Sequence, residues 1–471
     1  MSRSKELVKN TAIVAIGRFC TKFLSFFLLP FYTAVLSTED YGTVDLFHTY
    51  SALIFPIIVF QITDALFRFC IDVRGNEIEK KKVASTVIVF CAFQSVIFTV
   101  LFVGAQVLIS SQYKWFLLGN VLVSVFSSAL LQLTRGLGHN DIYALSSFLN
   151  ALTAIILNIV LVLLMNMGAK GLFWATLVAN GISIIYIVVK ENVCHIVRVR
   201  WFERKLLKCM LEYSLPLVPN NLAWWIIGAS DKTIVSCFLG MSQNGILSVS
   251  QKFSTMFTTF YGIFNLTWTE NATVYSKEKD REKYYSYIID TSFRVLAAIC
   301  MGIIAIVAIV FPWIINEKFA DSYYQIPIYM LSALFYSTIG IYSVVYIANK
   351  KTGEVAKTSV IAALINVIVN VVLIRFIGLY AASISSVIAY GILFLIRYLD
   401  IKKHVRIKMN KRMVMSVVVC MTINFVVYYI RNLWLSICNL MITVLYVIYI
   451  NRKLIYNLIV FVKDKMEMRE M

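Results

Sequence analysis

The residues best placed to do chemistry are charged side chains inside long apolar stretches of the sequence. Arg18 and Lys22 are four residues apart in the first such stretch, so a helix places both on one face. A charge at mid-bilayer costs about 2.5–3.5 kcal/mol on insertion scales, so such residues usually face a cavity or a partner. No acid lies in the same stretch, which favours a water-filled cleft that receives an anion. The alternatives are an acid on a neighbouring helix, or a helix deep enough for both side chains to reach the surface.

Further candidates lie in the second half of the chain. Asn220, Trp224 and Asp231 share one helical face, and Lys232 follows directly. Lys252 lies two turns into the next apolar stretch, where reaching the outer surface is its alternative role. The deep charges lean positive, which predicts a cavity for an anionic group such as a pyrophosphate. The cations are Arg18, Lys22, Lys232 and Lys252, and the acids are Asp64 and Asp231.

Other charged residues have local explanations. We expect Asp64 to pair with Arg68, and Asp290 with Arg294, because each pair is spaced by one helical turn. The acidic pair Glu39–Asp40 could serve metal-assisted glycosyl transfer, but acids that open a helix are the favoured interpretation.

The composition indicates that the helices carrying these charges cross a membrane. Hydrophobic residues make up 60% of the 471 and charged residues only 15%, with a mean hydropathy of +0.78, unlike a water-soluble protein. A crossing helix needs about 20 apolar residues. We predict an all-α polytopic membrane protein of about 14 transmembrane helices, or 13 if Arg431 and Asn432 do not separate the last two. The predicted spans are 11–36, 44–69, 83–109, 115–135, 142–165, 171–189, 212–238, 245–272, 288–315, 325–348, 357–375, 379–399, 413–430 and 432–451.

The net charge of +19 indicates orientation and not nucleic-acid binding. Most of the 44 Lys and Arg residues fall at the two termini and in alternate loops. This asymmetry follows the positive-inside rule and predicts that both termini are cytoplasmic. No cleavable signal peptide is expected, because Arg18 and Lys22 interrupt the first apolar run. The basic connection between Glu191 and Leu211 is expected to form a helix on the cytoplasmic leaflet.

The sequence contains none of the features that most membrane enzymes need. Nine cysteines and four histidines are scattered without metal-ligand spacing, so neither a metal site nor another resident cofactor is expected. No Walker A, HExxH, GxSxG or GxGxxG motif is present. The predicted outer loops Ser37–Thr43 and Gly240–Asn244 are too short to hold the catalytic groups of a glycosyltransferase or polymerase. A transporter is favoured over an enzyme.

The two halves of the chain match at a spacing of about 200 residues. Leu36 and Gly42 correspond to Leu239 and Gly245 at an offset of 203, and later segments match at offsets near 210. Parallel repeats with a site between them are typical of transporters. We therefore predict a six-helix bundle at 1–190, a basic linker at 191–211, a second six-helix bundle at 212–400, and a final helix pair with its tail at 401–471. Candidate structural or hinge residues are Pro30, Gly42, Pro216, Pro219 and Gly245.

Several segments resemble one known family. Leu28–Gly42, read as LLPFYTAVLSTEDYG, resembles the opening signature of bacterial polysaccharide flippases, which belong to the multidrug/oligosaccharidyl-lipid/polysaccharide (MOP) exporter superfamily. Tyr213–Pro219, followed by Ser230–Asp231–Lys232, resembles the start of that family's second half. The recurrent Asn and Gly positions of the family are matched by Asn158, Gly168, Gly171, Asn370 and Gly378.

This resemblance implies an alternating-access transporter in the bacterial inner membrane. Its cargo would be an undecaprenyl-pyrophosphate-linked oligosaccharide, the repeat unit of O-antigen or capsule, moved to the outer leaflet. Coupling to H⁺ or Na⁺ and contact with a polymerase or glycosyltransferases are further implications. Two alternatives stay open: a small-molecule antiporter of the multidrug class, which the cationic cavity disfavours, and a polytopic glycosyltransferase or polymerase.

Overall fold

The computed structural model describes residues 26–108, 111–275, 278, 280–348, 352–403, 405, 407 and 409–470. These residues form helices joined by short connections, with no strand among them. Numbered from the first one described, the helices are α1 (Leu29–Val35), α2 (Thr38–Val59), α3 (Ile62–Asp72), α4 (Glu77–Ala105), α5 (Lys114–Leu137), α6 (Asn140–Asn158), α7 (Gly168–Lys190), α8 (Val193–Ile196), α9 (Arg204–Ser214), α10 (Leu217–Leu239), α11 (Met241–Val274), α12 (Arg281–Ile314), α13 (Ser322–Ala348), α14 (Thr352–Ile377), α15 (Tyr380–Ile401), α16 (Lys411–Ile430) and α17 (Leu433–Glu470).

The predicted spans are largely helical wherever the structure describes them, although the spans 44–69 and 212–238 are each divided between two helices. Eleven helices of the described part are long and apolar enough to cross a membrane, with α6 extended by the π-helical turn Ile159–Leu164. Helices α10 and α11 occupy two predicted spans but are not among the eleven. The all-helical, multi-pass membrane fold is confirmed, whereas the count of 14 stays a prediction. Arg431, with φ 56°, ends α16 and separates it from α17, so the last two spans are distinct helices.

The second predicted span is not continuous. It breaks at Phe60 and Gln61, whose φ angles of 49° and 54° lie in the left-handed region that non-glycine residues rarely adopt. Pro56, one turn earlier, lacks an N–H and so removes a helical hydrogen bond just before the break. The chain restarts at Ile62 as a separate helix.

This break changes the expected charge pairing on α3. Arg68 donates to Asp72 at 2.6 Å, so the predicted Asp64–Arg68 pair is wrong. Asp64 lies in the first turn of α3, where its carboxylate accepts a hydrogen bond of 3.4 Å from Gln132 of α5. The start of α3 at Ile62 therefore places Asp64 against the neighbouring helix α5. Arg68 pairs with Asp72 near the end of α3.

The described residues up to Ser248 form one compact unit. An apolar core of this unit joins helices α2–α5 and α7–α9 through fully buried side chains such as Leu66, Val87, Val125 and Leu133. The unit ends inside α11, so its limit differs from the predicted bundle of 1–190, and the division into six-helix bundles stays a prediction.

The basic linker packs against the helices of this unit. Ser85 of α4 donates to Ile196 O at 3.3 Å and accepts from Arg198 N at 3.1 Å. The amphipathic helix α9 forms, but its apolar face belongs to the protein core, where Met210 is fully buried. The position of this helix on the cytoplasmic leaflet stays a prediction, whereas its apolar residues pack against α4 and its neighbours.

From Val249 on, the described residues form a second compact unit. Arg397 of α15, 1% exposed, ties three helices together through hydrogen bonds to uncharged acceptors. Its guanidinium donates to Thr358 at 3.1 Å, to Ser359 at 2.8 Å and to Val355 O at 3.0 Å on α14, and to Ser343 on α13. These bonds balance the burial of the charge by satisfying four N–H directions.

Two other contacts organise the second unit. Tyr323 and Tyr428 stack at 4.1 Å between centroids, and each hydroxyl donates to the other's backbone carbonyl at 2.9 Å, which joins α13 to α16. Arg294 and Asp290 form the expected local pair at 3.4 Å on α12.

Candidate functional site

Helices α2 and α11 cross at two glycines, at the end that the sequence predicts to lie outside. A Cβ atom on Gly42 would overlap the Met241 carbonyl oxygen and lie 2.7 Å from Gly245 N. A Cβ on Gly245 would overlap the Thr38 carbonyl oxygen. Each glycine thus faces the carbonyl of the residue four positions before the other, so the backbones meet directly. Only glycine permits this approach at either position.

Hydrogen bonds seal the crossing on both sides of the glycines. The hydroxyls of Thr38 and Ser242 are 2.7 Å apart, and Asn244 donates to Gly42 O at 2.8 Å. Ser37 caps α2 by accepting from Asp40 N at 3.0 Å, which confirms the interpretation of Glu39–Asp40 as acids that open a helix.

An ion pair lies one turn below the crossing. Lys232 Nζ of α10 is 2.6 Å from Asp45 Oδ2 of α2, and the Ser248 hydroxyl of α11 donates to the same oxygen at 2.6 Å. The two charged side chains are only 16% and 15% exposed. One carboxylate therefore holds three helices together, and the positive charge of Lys232 is balanced locally. Trp225 of α10 adds a bond of 2.8 Å to Thr49 O, one turn further along α2.

The contacts across the crossing join positions that the sequence offset of 203 relates. Gly42 meets its counterpart Gly245, and Asp45 meets its counterpart Ser248. The arrangement has the character of a local two-fold axis between the first turns of α2 and α11. The offset follows from Leu36 and Gly42 in the sequence alone, so the contact between Asp45 and Ser248 supports the same correspondence independently.

The other predicted site residues are distributed more widely. Arg18 and Lys22 lie outside the described residues. Asp231 is 2% exposed on α10 beside Lys232. Asn220 and Trp224 are in the same helix, but their side chains are outside the description. Lys252 is half-buried on α11, one turn beyond Ser248, and no described carboxylate lies within ion-pair distance of it.

The predicted proline and glycine positions are all at helix starts or crossings. Pro30 lies in the first turn of α1, and Pro216 caps α10, two residues after α9 ends. Pro219 lies in the first turn of α10, so the expected bend of span 212–238 occurs at Leu215–Pro216 as a break between two helices. Whether Lys232, Lys252 or these positions bind cargo or act as hinges stays a prediction.

Two residues that organise the units were missed from the sequence. Asp45 lies at the start of a predicted span, where an acid is ordinary, although the offset of 203 relates it to Ser248 and could have drawn attention to it. Arg397 lies one turn from the end of its helix, where it resembles a surface anchor of the positive-inside kind. Nothing in the local sequence distinguishes a buried arginine from such an anchor.

Among the residues that the structure describes, no group of three His, Cys, Asp or Glu side chains is placed to bind a metal ion.

Solved structures with a similar fold are membrane transporters. The lipid II flippase MurJ in an inward closed conformation matches with a TM-score of 0.69 and 16% identity, over 93% of this chain and 99% of that chain. An inward-facing multidrug resistance MATE family transporter of the MOP superfamily matches with a TM-score of 0.67 and 15% identity, over 83% of this chain and 98% of that chain. At such identity the likeness establishes the fold alone.

Sequence comparison supplies the family. No curated protein matches the sequence. A family model described as polysaccharide biosynthesis protein matches residues 7–269, more than half of the chain. The chain therefore belongs to the polysaccharide biosynthesis protein family, and it has the fold of the MOP exporter superfamily.

Proposed function

We propose that this protein is a flippase for a lipid-linked oligosaccharide. It moves an undecaprenyl-pyrophosphate-linked repeat unit of O-antigen or capsular polysaccharide from the cytoplasmic to the outer leaflet of the bacterial inner membrane. The observation that carries the proposal is the coincidence of a polysaccharide biosynthesis family with the fold of an exporter superfamily. Such a protein contributes to polysaccharide synthesis by moving the lipid-linked intermediate across the membrane, and not by forming glycosidic bonds.

The connections at the predicted outer end support a transporter over an enzyme. Leu36 and Ser37 alone join α1 to α2, and Gly240 alone joins α10 to α11. Helix ends this close leave no room for the catalytic groups of a glycosyltransferase or a polymerase at these two connections. Such enzymes are potential partners that build the repeat unit or extend it after transport.

The crossing of α2 and α11 supports alternating access as the mechanism. Its closure includes backbone contact at Gly42 and Gly245, a hydroxyl pair, the bond from Asn244 to Gly42 O and one ion pair. Such a contact can separate without repacking an apolar core, since the groups that part are polar and can be hydrated. We propose that this crossing opens when the protein exposes its cargo to the outside.

The pyrophosphate is proposed to bind cationic side chains. Because Asp45 already balances Lys232, the anion is assigned first to Arg18, Lys22 and Lys252. Opening of the crossing would separate Lys232 from Asp45 and Ser248 and so make its ammonium available to the cargo. Asp231, Asn220 and Trp224 would line the path on α10, with H⁺ or Na⁺ as the coupling ion.

Deletion of the gene in its own host tests the proposal directly. Lipid-linked repeat units are then quantified in each leaflet, with a reagent that reaches only the outer one. We expect repeat units to accumulate on the cytoplasmic side and surface glycan to disappear, with recovery when the gene is restored. Repeat units reaching the outer leaflet in normal amounts would refute the proposal, and full-length units outside with no surface glycan would indicate a polymerase.

A small-molecule antiporter is the second candidate, because the chain shares its fold with MATE family transporters. An antiporter of this class predicts that the deletion strain keeps its surface glycan and becomes more susceptible to exported compounds. The same strain therefore distinguishes the two candidates.

A further inference from the structure

A cavity lies inside the first unit, away from the glycine crossing and its ion pair. It is an open crevice with a volume of about 330 Å³, lined by residues of α5, α6 and α7. Small-molecule sites in proteins range from about 300 to 1,000 Å³, so this space suits a ligand of monosaccharide or disaccharide size. The lining side chains are Ser124, Ser127, Ser128, Leu131, Gln132, Tyr143 and Asn180.

Most of the polar groups around this cavity have no partner in the protein. The side-chain hydroxyls of Ser124, Ser127, Ser128 and Tyr143 make no hydrogen bond with any described residue. Gln132 Oε1 is buried and likewise accepts none. Ser147 and Thr176, on the neighbouring helices α6 and α7, instead donate to the carbonyl four residues earlier in their own helix at 2.9 Å.

The spacing on α5 explains why these groups converge. Ser124, Ser128 and Leu131 follow one another at intervals of four and three residues, so they form one stripe of the helix, with Ser127 and Gln132 beside it. Asn180 closes the opposite wall from α7, held in place by Asn150 Nδ2 at 3.0 Å and by its own bond to Thr176 O at 2.9 Å.

The lining contains no charged side chain. Behind the lining, Gln132 Nε2 donates to the Asp64 carboxylate at 3.4 Å, which holds the amide in place. Hydroxyl groups that can donate or accept, together with the apolar surfaces of Leu131 and Tyr143, match a sugar ring. Such a ring presents hydroxyls at its edge and C–H groups on its faces.

We propose that this cavity binds a neutral sugar residue of the transported oligosaccharide. The inference rests on the proposed function for the source of the sugar. Hydroxyl groups that line one crevice and have no partner in the protein can all bond a single polyhydroxylated ligand, which would take the place of several separate waters. Because no cation lines the cavity, neutral hexoses and N-acetylhexosamines are preferred over uronic acids.

Binding is tested on the purified full-length protein in lipid nanodiscs. The probes are neutral hexoses, N-acetylhexosamines, a uronic acid, and the host's repeat-unit oligosaccharide released from its lipid pyrophosphate, each followed by saturation-transfer NMR and calorimetry. Ser124→Leu/Ser128→Leu fills the cavity, and Tyr143→Phe removes one hydroxyl with little change of shape. Ser147→Leu is the matched control, because Ser147 lies on α6 but does not line the cavity.

We expect the wild type and Ser147→Leu to bind the neutral oligosaccharide with equal affinity. Tyr143→Phe should bind about tenfold more weakly, as expected for the loss of one hydrogen bond, and the filled variant should show no binding. Equal binding by all four proteins, or no binding of any neutral sugar by the wild type, would overturn the inference and leave the cavity as a hydrated crevice.

The leaflet assay separates failure of this inference from failure of the proposed function. If the wild type moves repeat units and the filled variant moves them equally well, the flippase function stands and the sugar site is wrong. If the wild type moves none, the flippase function is wrong, whereas the binding of free oligosaccharide still decides the cavity's ligand.

Discussion

At the scale of single residues, the ion pair between Asp45 and Lys232 allows the first unit to contain two charged side chains between its helices. Both side chains are largely buried, so each depends on the other for its charge to be tolerated. Ser248 gives the carboxylate a further bond, which fixes it between three helices. The arrangement makes Asp45 as important as the lysine that the sequence singled out.

Removing one partner should cost more than removing both. Asp45→Asn leaves the Lys232 ammonium without its counter-charge, and we expect a loss of up to about 3 kcal/mol in the free energy of unfolding. The double variant Asp45→Asn/Lys232→Gln should be more stable than the sum of the single effects implies. Thermal unfolding in detergent of the four proteins completes the cycle. Strictly additive losses would mean that the pair does not couple.

Residue types alone could not reveal these partners. The sequence indicates Lys232 because a lysine inside an apolar stretch is unusual. Asp45 and Arg397 lie near helix ends, where charged residues are common. Their significance depends on which helices pack beside them, and that is a tertiary property. Arg18 and Lys22 remain predictions from spacing, since they lie outside the described residues.

At the scale of helices, the glycine crossing predicts a position-specific effect of a single methyl group. Gly245→Ala would force the added Cβ against the Thr38 carbonyl, so we expect a loss of about 1–3 kcal/mol, as for other overpacked contacts. Gly181→Ala on α7 is the control, because nothing lies within 4 Å of its added Cβ. The apparent Tm in detergent should fall for the first variant and stay equal or rise slightly for the second. A similar Tm for both variants would show that the helices can move apart enough to accept the added methyl group.

The break between α2 and α3 makes a second prediction at this scale. Gln61 has φ 54°, and its side chain makes no hydrogen bond with a described residue. Gln61→Gly should therefore be tolerated, whereas the β-branched Gln61→Val should lose about 1–2 kcal/mol from left-handed strain. The apparent Tm values of the two variants test this. The Tm of the wild type should lie between them or equal that of the glycine variant. Equal Tm values for valine and glycine would contradict the strained conformation.

Hydropathy predicted the positions of the helices because lipid-facing segments must be long and apolar. It could not predict the break at Phe60 and Gln61, since the apolar run continues through it and the interruption is one of backbone conformation. The packing of α9 against the protein core could not be predicted either, because an amphipathic face has the same sequence pattern whether it contacts lipid or protein. The partners Ser85 and Thr86, which bind the linker backbone at 3.1 Å, lie over 110 residues away in the sequence.

At the scale of the whole molecule, transport requires that the cargo reach one side of the membrane at a time. The crossing of α2 and α11 is closed in this structure, and the proposed cycle requires it to open. The hydroxyl oxygens of Thr38 and Ser242 are 2.7 Å apart, so cysteines at both positions would come within reach of a disulfide, with its S–S length of about 2.05 Å. This pair offers a reversible lock on one step of the cycle.

We expect Thr38→Cys/Ser242→Cys, in a variant with the nine native cysteines replaced, to stop transport when oxidised and to recover when reduced. The disulfide would hold together backbones that must separate, whereas either single cysteine leaves them free. Repeat units exposed on the outer leaflet of spheroplasts are measured before and after oxidation, with maleimide labelling to quantify the crosslink. Transport that continues at the uncrosslinked rate in fully crosslinked protein would exclude opening at this crossing, because the cargo would then leave by another route.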